Sequence, residues 1–157
     1  MSFDDYYFMD LAIEEAQKST DNGGIPIGSI LVMNNEVISK GHNKMIQKNS
    51  PILHGELDAI NNAGLLKNSQ YKNITLYTTL SPCPMCSGAI IMYNIPRVVI
   101  GENETLKGSE NLLIKNNIEL INLNLEKIKN LFNEFKENSD LWDEELKRVG
   151  NSTELKI

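Results

Sequence analysis

His54-Gly55-Glu56 stands upstream of Pro82-Cys83-Pro84-Met85-Cys86, and these segments hold both cysteines and one of the two histidines of the chain. Zinc takes thiolate and imidazole ligands in a tetrahedron, and a catalytic site keeps one position for water. His54, Cys83 and Cys86 supply three ligands, one zinc ion per protomer. A two-residue gap lets both thiolates face one ion. Glu56 lies two residues beyond His54, where it can reach a zinc-activated water without ligating the metal. That leaves it free for proton transfer as general base and then general acid. The pattern H-x-E…P-C-x-x-C belongs to zinc sites that hydrolyse an amino group from a ring carbon. The expected chemistry is therefore hydrolytic deamination of a small cyclic amidine. A purely structural zinc clip would need a fourth ligand, and His42 is the only spare histidine. A redox dithiol would leave His54 and Glu56 without a purpose.

These residues need a frame. The chain has 157 residues, 41% hydrophobic and 23% charged, which suits one globular domain over 1–157. Its formal net charge is -6, with basic residues scattered rather than clustered. Nucleic-acid binders usually carry a basic face, so a small-molecule substrate is expected and no nucleic acid. The acidic start Met1-Ser2-Phe3-Asp4-Asp5 does not resemble a signal peptide. The longest apolar run, Ala89 to Tyr93, is too short for a bilayer. Both point to a cytoplasmic protein with no membrane partner. In that reducing setting a C-x-x-C is more readily a metal site than a disulfide.

Ser2 is placed to cap a helix over Phe3–Thr20, with Asp4 and Asp5 in its first turn. Ile27–Met33 and Glu36–Ser39 read as a hairpin turning at Asn34-Asn35. A helix is predicted over Leu53–Leu66, a strand over Ile74–Thr79 and a helix over Pro84–Tyr93. His54 and the cysteines thus fall near helix N-termini, whose partial positive charge favours thiolates and oxyanions. Beyond them come a strand at Arg97–Ile100, a helix at Ser109–Lys115 and a strand at Ile118–Leu123. Helices at Glu126–Phe135 and Asp140–Val149 complete the pattern. A hairpin followed by alternating strands and helices is an α/β layered fold. Its three later strands should be parallel, joined by right-handed crossovers, and the hairpin should add one antiparallel pairing.

Longer runs surround the metal motif: Gly23-Gly24-Ile25-Pro26-Ile27-Gly28, Gly41-His42-Asn43, Leu53-His54-Gly55-Glu56, and Leu76-Tyr77-Thr78-Thr79-Leu80-Ser81-Pro82-Cys83. Met85-Cys86, Gly88-Ala89-Ile90-Ile91-Met92-Tyr93, Ile95-Pro96-Arg97 and Gly101-Glu102-Asn103 follow. With these the chain resembles the fungal-type cytosine deaminases, within the cytidine deaminase superfamily, from about Asp10 to Phe135. The resemblance implies a three-layer α/β/α sandwich with a mixed five-stranded sheet, and a homodimer. The apolar run Ala89–Tyr93 agrees with the dimer, since a helix apolar all round is buried on both sides. The resemblance also implies that Asn43 and the backbone at Gly55 hydrogen-bond the ring. Gln47 and Ser81 would lie close to the site, Ile25 would pack against the ring, and Trp142 would close over it. The C-terminal helix, about 139–150, becomes a candidate lid.

The chain also departs from that family. Leu106 stands where the family carries a phenylalanine, Pro84 replaces an aspartate inside the cysteine motif, and the tail runs on through Leu146 to Ile157. The family's late aspartate near the leaving group falls on Glu144 or Glu145. The expected reaction is cytosine to uracil plus ammonia. The alternatives are creatinine, which the lost aromatic wall would favour, or isocytosine, guanine or a pterin. Deamination of adenosine in tRNA and a non-catalytic zinc module are the remaining readings. Taken without the resemblance, Asn43 reads as a turn residue bonding its own backbone, and Trp142 as an anchor docking the last helix.

Overall fold

The computed structural model describes residues 3–153. Ser2, the expected cap of the first helix, lies outside them. Helix α1 (Phe3–Asp21) leads into a hairpin of β1 (Gly28–Met33) and β2 (Glu36–His42). Asn34 and Asn35 form its turn with φ of 54° and 63°, the left-handed pair that matches strand twist in a two-residue connection. Helix α2 (Gly55–Ala63) and a single turn α3 (Asn68–Tyr71) lead to β3 (Ile74–Leu80). Then come α4 (Pro84–Met92), β4 (Arg97–Glu102), α5 (Glu110–Lys115), β5 (Glu119–Asn122), α6 (Glu126–Asn138) and α7 (Leu141–Thr153).

The five strands form one mixed sheet in the order β2-β1-β3-β4-β5. β3, β4 and β5 are parallel, as expected. The single antiparallel pairing expected of the hairpin is corrected to two, because β1 is antiparallel to β3 as well as to β2. The reason is topological. The α2 crossover makes β2 and β3 parallel, so a strand inserted between them opposes both.

Strand alternation then sorts two cores. Ile30, Val32, Tyr77 and Val99 face Phe8, Met9 and Ala12 of α1 and Ile128 of α6. Leu31, Leu76, Val98 and Ile100 face Ala59 of α2, Ile90 of α4 and Leu113 of α5. Helices therefore cover both faces, and the α/β/α sandwich is present. Two differences from the sequence reading bear on the site. α2 is shorter than Leu53–Leu66: Gly64 at φ 73° ends it, and Pro51 lies in the preceding loop. β2 runs on to His42, which sets Asn43 at the C-terminal edge of the sheet. α7 packs across this edge, with Leu141, Trp142 and Leu146 against Ile25, Ile27, Leu80 and Phe132. No helix among the described residues is long and apolar enough to cross a membrane.

Candidate active site

His54 is the N-cap of α2 and Cys83 the N-cap of α4. Both have extended backbones (φ -67°, ψ 160° and φ -68°, ψ 172°), and neither side chain caps its own helix. The side chains are thus turned from capping towards one another. Close approach sets this up. A Cβ on Gly41 would meet the Ala59 backbone N at 2.3 Å, so only glycine lets α2 press this closely on β2. Asp58 of α2 fixes the contact by accepting the His42 N–H at 3.0 Å and pairing with Lys44 at 2.8 Å. The Lys44 N–H donates to the Leu53 carbonyl at 2.9 Å, which closes the loop that delivers His54.

One nitrogen of His54 and the sulfurs of Cys83 and Cys86 all lie within 4.8 Å of one another. His54 Nδ1 is 3.4 Å from Cys83 Sγ. Among the described residues this is the one His/Cys/Asp/Glu group close enough to share an ion. His42 is not part of it, being bonded to Glu15 at 2.9 Å. An imidazole with two thiols, and no fourth donor among the described residues, is the donor set of a hydrolytic zinc ion, and the residues fit one. Burial disfavours a charged His54, but its contacts with Cys83 and Glu145 outweigh this and hold its pKa up at about 10. The hydrogen bond from Cys86 brings Cys83 down to about 4 despite burial, with His54 assisting. Burial and the hydrogen bond with Cys83 push Cys86 well up, and the Glu56 charge adds to the rise. Loading a metal here therefore displaces protons from this cluster.

Glu56 sits in the first turn of α2, only 3% exposed. Burial raises its pKa, and the neighbouring Cys83 charge adds to the rise. Its Oε2 lies 3.3 Å from Cys86 Sγ, and its Oε1 accepts the Thr78 hydroxyl at 2.9 Å. A small cavity of about 20 Å³ adjoins Glu56 and His54, bounded also by Asn43, Leu106, Trp142 and Glu145. It is about the size of one or two waters. A larger hollow of about 600 Å³ touches His54 and Cys83 from outside but reaches neither Glu56 nor Asn43.

The other expected residues divide. Asn43 is buried beside the cavity, and its Oδ1 also accepts the Met45 N–H at 3.1 Å, so it is a turn residue and a wall at once. Gly55 opens α2, where a Cβ would come within 3.1 Å of the Ile27 carbonyl. Ile27 forms the wall expected of Ile25, which packs behind it in the cluster with Trp142. Gln47 is set back, donating to the Ser19 carbonyl at 3.2 Å and hydroxyl at 3.1 Å. The Ser19 hydroxyl in turn holds the Asn43 carbonyl at 2.6 Å. Ser81 lines the cavity, while its hydroxyl donates to Glu110 at 2.8 Å and accepts the Gly108 N–H at 2.9 Å. Trp142 is 2% exposed and meets Phe132 edge-on at 5.0 Å. Of the two tail carboxylates, Glu145 enters: it is buried, 3.2 Å from His54 Nε2 and 3.1 Å from Arg148. Glu144 faces outward and pairs with Lys147 at 2.9 Å. Sequence reading passed over Thr78, Ile27, Ser19 and Val149, which shares a buried cluster with the two cysteines. The available signal for Thr78 was a hydroxyl pair, Thr78-Thr79, in a strand leading directly to the metal motif.

Known proteins share this frame with different substrates. The chain is 48% identical to a Candida albicans cytosine deaminase over 148 residues, 93% of this chain and 99% of that one. It is 42% identical to a Streptococcus pyogenes tRNA-specific adenosine deaminase over 108 residues, 68% of each. A solved guanine deaminase from Bacillus subtilis superposes with a TM-score of 0.57 at 26% identity, covering 76% of this chain and 72% of that one. Residues 2–102 match the family described as the cytidine and deoxycytidylate deaminase zinc-binding region. With the metal-ligand set assembled inside that span, the chain belongs to this zinc-binding deaminase family, whose members are hydrolases of C–N bonds.

Proposed function

We propose that the chain hydrolyses the exocyclic amino group of free cytosine, giving uracil and ammonia. The observation that carries this is the 48% identity to a cytosine deaminase, sustained over 93% of this chain and 99% of that one. His54, Cys83 and Cys86 hold the zinc, and Glu145 accepts from His54 Nε2, which fixes the tautomer that offers Nδ1 to the metal. When bound, zinc lowers the pKa of its water to about 7 and so supplies hydroxide at neutral pH. Glu56 takes a proton at its carboxylate, passes it to a ring nitrogen, and later delivers one to the departing amine. Its burial suits both directions of transfer, because an elevated pKa makes it a stronger base and a usable acid. Asn43 and the Gly55 backbone bond the ring edge, and Leu106 and Trp142 cover its face.

A ring does not fit in about 20 Å³, so α7 acts as a lid and shifts to admit substrate. The protein works as a homodimer in the cytoplasm, where the two unpaired cysteines stay reduced. Met92, at the end of the largely apolar α4, is 73% exposed in the single chain and would be covered by the second copy.

The test is ammonia release from cytosine, creatinine, isocytosine, guanine and a pterin, with Glu56→Gln alongside. Cytosine should lead, and Glu56→Gln should keep its zinc while losing about 10²–10⁴-fold in rate. Efficient turnover of creatinine with cytosine untouched would overturn the substrate. Salt-dependent binding and deamination of an RNA strand would favour nucleic-acid editing instead.

A further inference from the structure

Ser29 and Thr78 are register partners across β1 and β3, so their side chains leave the same face of the sheet. Both are fully buried. The Ser29 hydroxyl donates to Thr78 Oγ1 at 2.9 Å, and Thr78 Oγ1 donates to Glu56 Oε1 at 2.9 Å. The direction of this chain is forced. A carboxylate only accepts, and a hydroxyl carries one proton. Thr78 must therefore spend its proton on Glu56, and its lone pair is left for Ser29.

We propose that Thr78, backed by Ser29, is a positioning residue for the proton shuttle: it holds Oε1 of Glu56 and leaves Oε2 as the oxygen that carries protons. This rests on the shuttle role assigned to Glu56 above. The two oxygens stand in different surroundings. Oε1 points into the sheet at a fixed donor, whereas Oε2 points at Cys86 Sγ, 3.3 Å away, on the side of the metal ligands. A ligating Cys86 is a thiolate with no proton to give, so Oε2 is open towards the reacting atoms. Protonation of Oε2 leaves Oε1 a carbonyl-type acceptor, so the Thr78 bond persists through both halves of the transfer. No hydroxyl in the chain needs to turn. The carboxylate thus enters each transfer already aimed, the kind of preorganisation that displacements of about 1 Å destroy.

The test compares zinc-loaded Thr78→Val, Thr78→Ser, Ser29→Ala and Glu56→Gln for kcat, KM, zinc content and melting temperature. Valine keeps the shape of threonine and removes the donor. Thr78→Val should lose about 10- to 100-fold in kcat, with KM within about twofold and one zinc per chain retained. Thr78→Ser restores the hydroxyl and should return most of the rate. Ser29→Ala should lower kcat several-fold on its own, roughly, and add nothing to Thr78→Val. Parent kcat in Thr78→Val, with Glu56→Gln inactive, would overturn the positioning role and leave the shuttle standing. An equal loss in Thr78→Ser would likewise overturn it, by making the role structural. A fully active Glu56→Gln would instead remove the shuttle itself. Should Thr78→Val not fold, Ser29→Ala decides: reduced kcat at parent KM supports the assignment, and parent kcat overturns it.

Discussion

The residues of the site act through particular atoms. His54 offers Nδ1 to the cysteines and Nε2 to Glu145, so one imidazole joins the metal centre to α7. Carboxylates that orient a ligating histidine typically matter by about 10- to 100-fold in metal affinity or activity. Glu145→Gln should therefore lower zinc affinity or turnover by that order, while Glu144→Gln, whose exposed parent side chain pairs with Lys147, should match the parent enzyme. Zinc titration beside steady-state kinetics separates the two. Cys83→Ala should lose zinc and activity together, since the removed thiolate is a ligand; a variant that kept stoichiometric zinc would contradict the ligand set. The ligands and Glu56 were legible in the sequence because their spacing is chemically restrictive. The choice between Glu144 and Glu145 was not, because it depends on the rotation of α7 over the sheet edge. Thr78 and Ser29 were invisible for a similar reason: both suit a strand anyway, and their bond depends on a register between positions 49 residues apart.

At the scale of elements, the sheet and its flanking helices were readable from period and breakers, but their ends were not. Asn34-Asn35 fixed the hairpin through its need for positive φ, and the helix expected over Ser109–Lys115 is α5, which begins one residue later with Ser109 as its N-cap. Apolar Leu53 resembles a first helical residue, whereas His54 is the extended N-cap and Gly55 opens the helix. That two-residue difference decides function, since a helical His54 would not turn its ring to the cysteines. α7 was read correctly as a helix, and its docking rests on Trp142. Removing a buried tryptophan side chain costs about 3–5 kcal/mol in a packed core. Trp142 packs with Phe132, Ile25, Ile27 and Leu80 at the site end rather than within the sheet layers, so the loss should appear as local opening. Trp142→Ala should speed amide exchange in α7 while leaving β3 protected, and should raise KM for cytosine as the cover over the cavity loosens. Unchanged exchange in α7 would mean that the tryptophan does not hold it.

Across the whole molecule, the edge that carries chemistry is separated from the contacts that bind the layers. Far from the zinc ligands, Tyr77 of β3 donates to Asp5 of α1 at 2.7 Å, and Arg97 of β4 grips Asp5 through both carboxylate oxygens at 2.9 Å. Three elements meet in this cluster, and it can be probed without touching the site. Burial raises the pKa of the Tyr77 phenol, and the Asp5 carboxylate raises it further, well above its ordinary value of 10. Above pH 10 the unfolded chain releases this proton while the native chain keeps it, so the unfolded state binds fewer protons and stability falls as pH rises. The contribution is fully present below pH 10 and is lost towards the raised native value. Tyr77→Phe removes the hydrogen bond and should cost about 1 kcal/mol at pH 7. It also removes the titrating group, so urea-unfolding free energies of parent and variant should draw together from pH 10 upward. Curves that stayed parallel through this range would show that the phenol ionises alike in both states, and that the Tyr77–Asp5 bond does not help to hold α1 on the sheet.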